Sequence, residues 1–294
     1  MQKERTVLVT GCSDHGLGSA LAIALHKQGW RVFASARNLS KLSNVKAAGI
    51  ECVEMDVESS ESVAKAVDQV IELTGGSLDA LINNAGTGYN MPIMHLDIDK
   101  MHKLFELNAF SIVRTTQAFV PLMLKSTMQP FIANNTAGSG LLGCGLAFQG
   151  AYNASKAAAA SLTECLRLEL APFGIRVINI VTGAVKSTFI TNTTNNTSNG
   201  ELPPDSIYNV AKPEIEKSMM QDESGSDRMD TETWAMLVAG DLSRKNPAHM
   251  IFRGSMSNLA RFAALLPIGV LDKTMKRMTG LDVLEERIVN KHSR

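Results

Sequence analysis

Strand-like and helix-like segments alternate through residues 6–181, and that rhythm narrows the chain to one architecture. Short β-branched runs occur at 6–10, 31–36, 49–55, 78–83, 130–136 and 175–181. Helical patterns fill the gaps at 17–28, 58–73, 97–125 and 151–171. The third is opened by the capping Asp97 and limited by Pro130; the fourth stops near Pro172 and Gly174. A strand that returns parallel to its predecessor needs a right-handed crossover, and the crossing helices cover both faces of the sheet. The expected fold is α/β, a doubly wound parallel sheet with ligands at the carboxyl ends of its strands. At 294 residues and 45% hydrophobic, the chain is sized for one large domain spanning 1–294.

The rhythm breaks after Thr182. Residues 187–206 are polar and rich in Asn and Thr, with sequons at Asn192, Asn195 and Asn196 that read as plain loop. A stretch of that kind serves as a binding loop, so 187–233 is read as a substrate loop or lid. Helical pattern resumes at 207–222 and 230–242, whereas 246–294 does not read as another strand–helix unit. It reads as a helical C-terminal extension that is both basic and apolar.

Charge divides along the same line. Lys+Arg and Asp+Glu are each 29, a balance that argues against nucleic acid as partner. Residues 244–294 nevertheless carry ten basic and four acidic side chains, a net of +6, which leaves −6 on residues 1–243. The tail holds an apolar run at 262–271, followed by Lys273, Lys276 and Arg277. Such a run is too short to cross a bilayer. Beside cations it can lie in a membrane surface; its other reading is a helix that covers the substrate pocket or a subunit interface. Cys12, Cys52, Cys144 and Cys165 are widely spaced, which suggests neither a metal site nor a disulfide framework. Scattered thiols and the lack of a signal-peptide pattern fit a cytoplasmic protein, peripheral to an endoplasmic-reticulum or lipid-droplet membrane if the tail makes contact.

The turn between the first strand and helix carries Gly11, Ser13, Gly16, Leu17 and Gly18. Glycines let backbone N–H groups approach an anion, and the helix start adds its dipole. The spacing is G-x4-G-x-G, and the alternative is an ordinary glycine-rich turn. The second strand ends in Arg37 where a ribose-binding carboxylate would stand, so a 2′-phosphate is favoured over a bare hydroxyl. Asp56 and Val57 follow the third strand; Asp56 suits an adenine amino group or, equally, a helix cap. Asn84, Ala85 and Gly86 end the fourth strand with small residues that admit a close ligand.

Tyr152 and Lys156 are spaced i and i+4 on one helix face. A nearby ammonium lowers a phenol's pKa towards neutrality, which makes such a pair an acid–base device. Ser139 lies thirteen residues earlier, where its hydroxyl can hold a carbonyl oxygen. Asn108 interrupts a helical pattern, where its amide can bend the helix and hold a water beside Lys156.

Taken together these motifs resemble the short-chain dehydrogenase/reductase family. Residues 10–18 look like its T-G-x3-G-x-G loop with one residue inserted, 83–86 match its N-N-A-G, and Asn108, Ser139, Tyr152 and Lys156 fall on its tetrad. Residues 181–187 fall on its P-G motif, adding Val185 and Ser187 to the cofactor contacts. Within the family the loop spelling and the tail are most similar to fungal NADPH-dependent 1-acyldihydroxyacetone-phosphate reductases and related ketoreductases of secondary metabolism. The resemblance implies a Rossmann-type fold, NADP(H), and hydride transfer to the ketone of an apolar small molecule. Tyr152 would be the proton donor, Ser139 the polarising hydroxyl, Lys156 the group that lowers the Tyr152 pKa and binds ribose, and Asn108 the holder of a water. It also implies a homo-oligomer paired through the two long helices. Three departures stand out: His15 where a glycine is usual, Thr182 in place of Pro, and an irregular 135–139 in which a one-residue slip would put Gly138 at the serine position. They keep open a second class, a catalytically silent NADP-binding sensor or scaffold.

Overall fold

The computed structural model describes residues 4–141, 143–189, 193, 200–220 and 227–292. Asn192, Asn195 and Asn196 lie outside them. The strands are β1 (Thr6–Val9), β2 (Arg31–Ala36), β3 (Glu51–Glu54), β4 (Ala80–Asn83), β5 (Phe131–Ala137), β6 (Arg176–Thr182) and β7 (Met250–Arg253). All seven pair in parallel in one sheet, in the order β3-β2-β1-β4-β5-β6-β7. The order reverses between β1 and β4, the point at which open sheets of this type part to make a ligand crevice.

The central strands are apolar throughout because both of their faces are covered. On one face α1 (Leu17–Lys27) packs with a later helix, Thr231–Leu242, around Leu21, Leu25 and the fully buried Trp234. A short helix α2 (Ser43–Ala47) adds Val45 to the same cluster. On the other face lie α3 (Ser60–Thr74), the segment 98–123, and α6 (Gly150–Leu170), around Val63, Val70, Phe119 and Leu122. Burying a side chain such as Phe119 contributes about 2–3 kcal/mol, so this double layer holds the strand ends still.

The long helix expected over 97–125 is divided. Asp97 caps α4 (Ile98–Phe105), a π turn follows at Glu106–Phe110, and α5 (Ser111–Met123) resumes. Asn108 sits in the π turn, in keeping with the bend its amide suggested; π turns collect at functional sites.

Strand β7 is a correction. The tail does contain a strand, and Ile251 pairs with Ile180 to complete the sheet. It is only four residues long and edge-placed, with Met250 exposed and Ile251 its single buried side chain, so no alternation marks it in the sequence. The sheet therefore extends past residue 246.

Among the described residues the remaining α-helices are α7 (Lys212–Met220), α8 (Thr231–Leu242), α9 (Ser257–Ala263), α10 (Asp272–Thr279) and α11 (Leu281–His292). A third apolar cluster joins Tyr89, Met91 and Phe148 to Leu202, Ile215, Met219 and Leu284. Arg287 of α11 pairs with Glu214 of α7 at 2.5 Å. Part of the expected loop and tail thus packs in one apolar cluster against the start of α6.

Candidate active site

A cleft of about 2060 Å³ opens over the carboxyl ends of the strands. Single ligand pockets run to ~300–1,000 Å³, so this one has room for a large cofactor and a substrate together.

The glycine loop is shaped by what surrounds it. Gly11 has φ 70, and a Cβ there would lie 2.7 Å from the Ala85 Cα. A Cβ at Gly18 would lie 2.5 Å from the Asn84 Nδ2 and from the Gly11 carbonyl oxygen. Both glycines seat the loop on the end of β4. Gly11, Ser13, Gly16 and Leu17 line the cleft, while Gly18 stands behind it. His15 adopts φ 61, the left-handed conformation that a glycine tolerates best. Phe148 (φ 66) and Met256 (φ 64) share it, and all three flank the same cleft or its lining. Backbone strain of this kind collects at ligand sites.

Arg37 lines the cleft beyond β2, with Nη1 3.3 Å from the Glu58 Oε2. Burial pushes the Glu58 carboxyl up from its usual range, and Arg37 opposes that shift. Ser40 and Lys41 line the same corner, held in a short turn capped by Asn38. Sequence reasoning missed them; a second cation four residues beyond Arg37 was the available signal. Met55 and Val57 face the cleft, but Asp56 is not among its lining residues. Its Oδ1 accepts from the Glu58 N–H at 3.1 Å, and the cap of α3 is Ser59, which corrects the helix-cap reading of Asp56.

Asn84, Ala85 and Gly86 line the floor. A Cβ on Gly86 would come 3.1 Å from the Asn108 Oδ1 and 3.3 Å from the Lys156 Nζ, so this corner admits only glycine without displacement. Asn108 and Lys156 are therefore brought together. Both donors of the Asn108 amide are used: Nδ2 donates to the Thr87 carbonyl (2.9 Å) and to Ser155 Oγ (2.9 Å), and Oδ1 accepts from the Thr87 N–H (3.0 Å). The amide pins the loop after β4, a task that spacing did not reveal.

Tyr152 and Lys156 both line the cleft from α6, and the Tyr152 ring tilts against Phe189 at 5.4 Å. Lys156 is buried, and its Nζ donates to the Asn135 carbonyl at 3.0 Å. Burial raises the phenol above its ordinary pKa and lowers the ammonium to about 8. The expected lowering of Tyr152 by Lys156 is thus reversed: desolvation of both groups prevails. Ser139 sits in a tight turn, Gly138–Gly140, that packs on α6; a Cβ on Gly140 would lie 2.8 Å from the Lys156 carbonyl carbon. Ser139 Oγ is buried, lines the cleft and has no hydrogen-bond partner among the described residues, so it is a donor awaiting an acceptor. Val185 and Ser187, beyond β6, close the same side.

The rest of the cleft runs under the tail. Leu146, Phe189, Leu259, Phe262 and Met275 give it apolar walls, and Lys103, Lys217 and Arg277 also line it.

Residues 5–199 match the family model for short chain dehydrogenase. A short-chain dehydrogenase/reductase of Pestalotiopsis microspora is 41% identical over 97% of both chains. The NADPH-dependent 1-acyldihydroxyacetone phosphate reductase of Schizosaccharomyces pombe is 30% identical over 96% of both. A short-chain dehydrogenase of Burkholderia cenocepacia, solved in complex with NADP, superposes with a TM-score of 0.70 at 26% identity, over 94% of this chain and 99% of that one. With the motif-bearing strand ends, the π turn and the Tyr152–Lys156 helix assembled around one cleft, the chain belongs to the short-chain dehydrogenase family of oxidoreductases.

Proposed function

We propose that the protein is an NADP(H)-dependent reductase that converts the ketone of an apolar small molecule to an alcohol. The observation that carries this reading is the single cleft that holds Ser139, Tyr152 and Lys156 at one end of a glycine loop and Arg37 at the other. The cradle fits the cofactor, since close approach requires glycine at residue 11 and crowds any side chain at residue 86, and Arg37 with Lys41 suits a 2′-phosphate. NADP(H), when bound, supplies the hydride. Ser139 Oγ donates to the carbonyl oxygen and fixes its direction. Tyr152, kept protonated by burial, gives its proton to that oxygen as negative charge develops. Lys156 holds ribose and places a positive charge beside the phenol. Asn108 keeps the Thr87 loop in place, and the second lone pair of its Oδ1 is available to a water beside Lys156.

The substrate is a lipid precursor or a secondary metabolite. Lys103, Lys217 and Arg277 supply the cations that a phosphate-bearing lipid requires, which favours the first. The relative from Schizosaccharomyces pombe, named for such a substrate, agrees.

Two further associations belong to this reading. The basic tail gives the protein peripheral contact with a membrane. A homo-oligomer pairs through α5 and α6, where Phe110, just before α5, and Leu168 of α6 are exposed.

The test is NADPH oxidation against a panel of phosphate-bearing acyl ketones and neutral polycyclic ketones. The reductase reading expects turnover that Tyr152→Phe abolishes while NADPH binding persists. Thermal stabilisation by NADPH without turnover on any ketone would instead make the protein a cofactor sensor.

A further inference from the structure

Asn134 and Asn135 are neighbours on β5, so their side chains leave the sheet on opposite faces. Each heads a ladder of side-chain hydrogen bonds. Below, Thr115 donates to the Asn83 Oδ1 (2.8 Å), Asn83 to the Asn134 Oδ1 (2.8 Å), and Asn134 to Thr163 Oγ1 (3.0 Å). That ladder ties the strands to the helices beneath. The upper one runs along the floor of the cleft. Thr182 Oγ1 donates to the Asn135 Oδ1 (2.6 Å), Asn135 Nδ2 to the Asn84 Oδ1 (2.9 Å), and Asn84 Nδ2 to the Thr10 carbonyl (3.0 Å).

The upper ladder has only one workable direction. Asn84 Nδ2 faces two carbonyl oxygens, of Thr10 and of Gly11 at 3.3 Å, so its Oδ1 must point at Asn135. Asn135 must then present its Nδ2 to Asn84, which leaves its Oδ1 in need of a donor. Proline, the usual residue of the family here, has no donor; the Thr182 hydroxyl has one.

The ladder also stands where backbone pairing runs out. Strand β4 last pairs at Asn83 with Asn134, whereas β5 continues beside β6 as far as Ala137 and Thr182. On the β4 side Asn135 is held by its amide. Its carbonyl oxygen is, among the described residues, the acceptor to which the buried Lys156 Nζ donates.

We propose that Thr182 and Asn135 are positioning residues, a side-chain brace that fixes the Asn135 carbonyl and so aims the Lys156 ammonium at the cofactor site. The inference rests on the reductase reading for what Lys156 does, but not for where the brace holds it. Hydrogen bonding to an ammonium favours its charged form. A slack brace therefore lowers the pH at which Lys156 loses its charge and weakens ribose binding.

The experiment compares Thr182→Val with Thr182→Ser in the full chain. NADPH binding is followed by fluorescence from neutral to alkaline pH, beside melting temperature and the kcat and KM for any ketone turned over. Loss of one buried hydrogen bond corresponds to roughly a five- to tenfold rise in Kd for Thr182→Val. Its alkaline limb moves to lower pH, and Thr182→Ser restores both. A melting point that falls while Kd and the limb stay put would reduce Thr182 to an ordinary packing residue, as would a serine variant as impaired as the valine. Should Thr182→Val not fold, Thr182→Cys, a weaker donor of similar size, shows the same shifts in smaller measure; unchanged values there overturn the proposal. Because binding is read without turnover, a shifted limb in a protein that reduces no ketone would uphold the brace and remove the reductase reading alone.

Discussion

Tyr152 and Lys156, one helical turn apart on α6, are driven in opposite directions by the same burial: the phenol upward, the ammonium down to about 8. A low dielectric disfavours whichever form is charged. The phenol thus remains a proton donor through the neutral range, while the ammonium is charged only below about 8. Ketone reduction should accordingly hold steady at neutral pH and fall as pH rises through the Lys156 value. A pH series of kcat/KM at fixed NADPH measures this, and a rate that climbs through that region would contradict it.

The same shift has a stability side. The folded pKa of Lys156 lies below its ordinary 10.5, so folding is opposed wherever the lysine must be charged. The cost is full below about 8 and fades as pH rises towards 10.5. The difference corresponds to roughly 3 kcal/mol as an upper bound. Lys156→Met should therefore stabilise the cofactor-free protein at neutral pH while abolishing reduction, with the gain vanishing at alkaline pH. Denaturant melts at neutral and alkaline pH provide the check.

At the far corner of the cleft Glu58 competes for Arg37. Arg37→Ala removes the charge that would meet a 2′-phosphate, and a charge-assisted hydrogen bond is worth ~1.5–3 kcal/mol. NADPH binding should weaken by roughly tenfold or more, with NADH binding little changed. Glu58→Gln should act in the opposite sense and by only a few-fold, because the Arg37 side chain is exposed and its ion pair correspondingly weak. Titration of both cofactors against both variants decides; equal losses for NADPH and NADH in Arg37→Ala would remove the phosphate assignment.

What could be read from the chain differed by kind of signal. The β/α alternation and the Tyr152–Lys156 spacing rest on periodicity, and periodicity survives folding. Strand β7 was invisible because an edge strand with one buried residue has no period to show. The π turn at Asn108 was half legible: a polar residue in a helical run marks a disturbance but not its geometry. The Thr182–Asn135 bond and the Lys41 corner are tertiary, formed where strand ends from distant parts of the sequence meet. The upward direction of the Tyr152 shift was not legible, because spacing reports proximity and not desolvation.

His15 tests what the glycine loop tolerates. At φ 61 its side chain strains a conformation that costs a non-glycine residue ~1 kcal/mol or more. His15→Gly should relax the loop, raising the melting temperature by about 2 °C and tightening NADPH. Differential scanning fluorimetry with and without NADPH measures both. A variant that loses both stability and affinity would show that the imidazole itself contributes to the site.

The tail offers the last prediction, and β7 dictates how it must be tested. Deleting 246–294 would remove Ile251 and the edge of the sheet, so a truncated protein that failed to bind membranes would only have failed to fold. Substitutions beyond α9 avoid this. Leu265 and Ile268 are 79% and 76% exposed, with Arg261 and Lys273 near them in the sequence, on the +6 segment of a chain whose remainder is −6. An apolar edge fringed with cations suits anionic lipid, and attraction to it falls with salt. The full-length protein should float with phosphatidylserine-containing vesicles, less so with neutral ones or at high salt. The pair Leu265→Glu and Ile268→Glu should abolish flotation while leaving the melting temperature intact. A chain that stays at the bottom of the gradient with anionic vesicles would remove the membrane reading, and a glutamate pair that dissolves a dimer would assign this surface to a second copy of the protein.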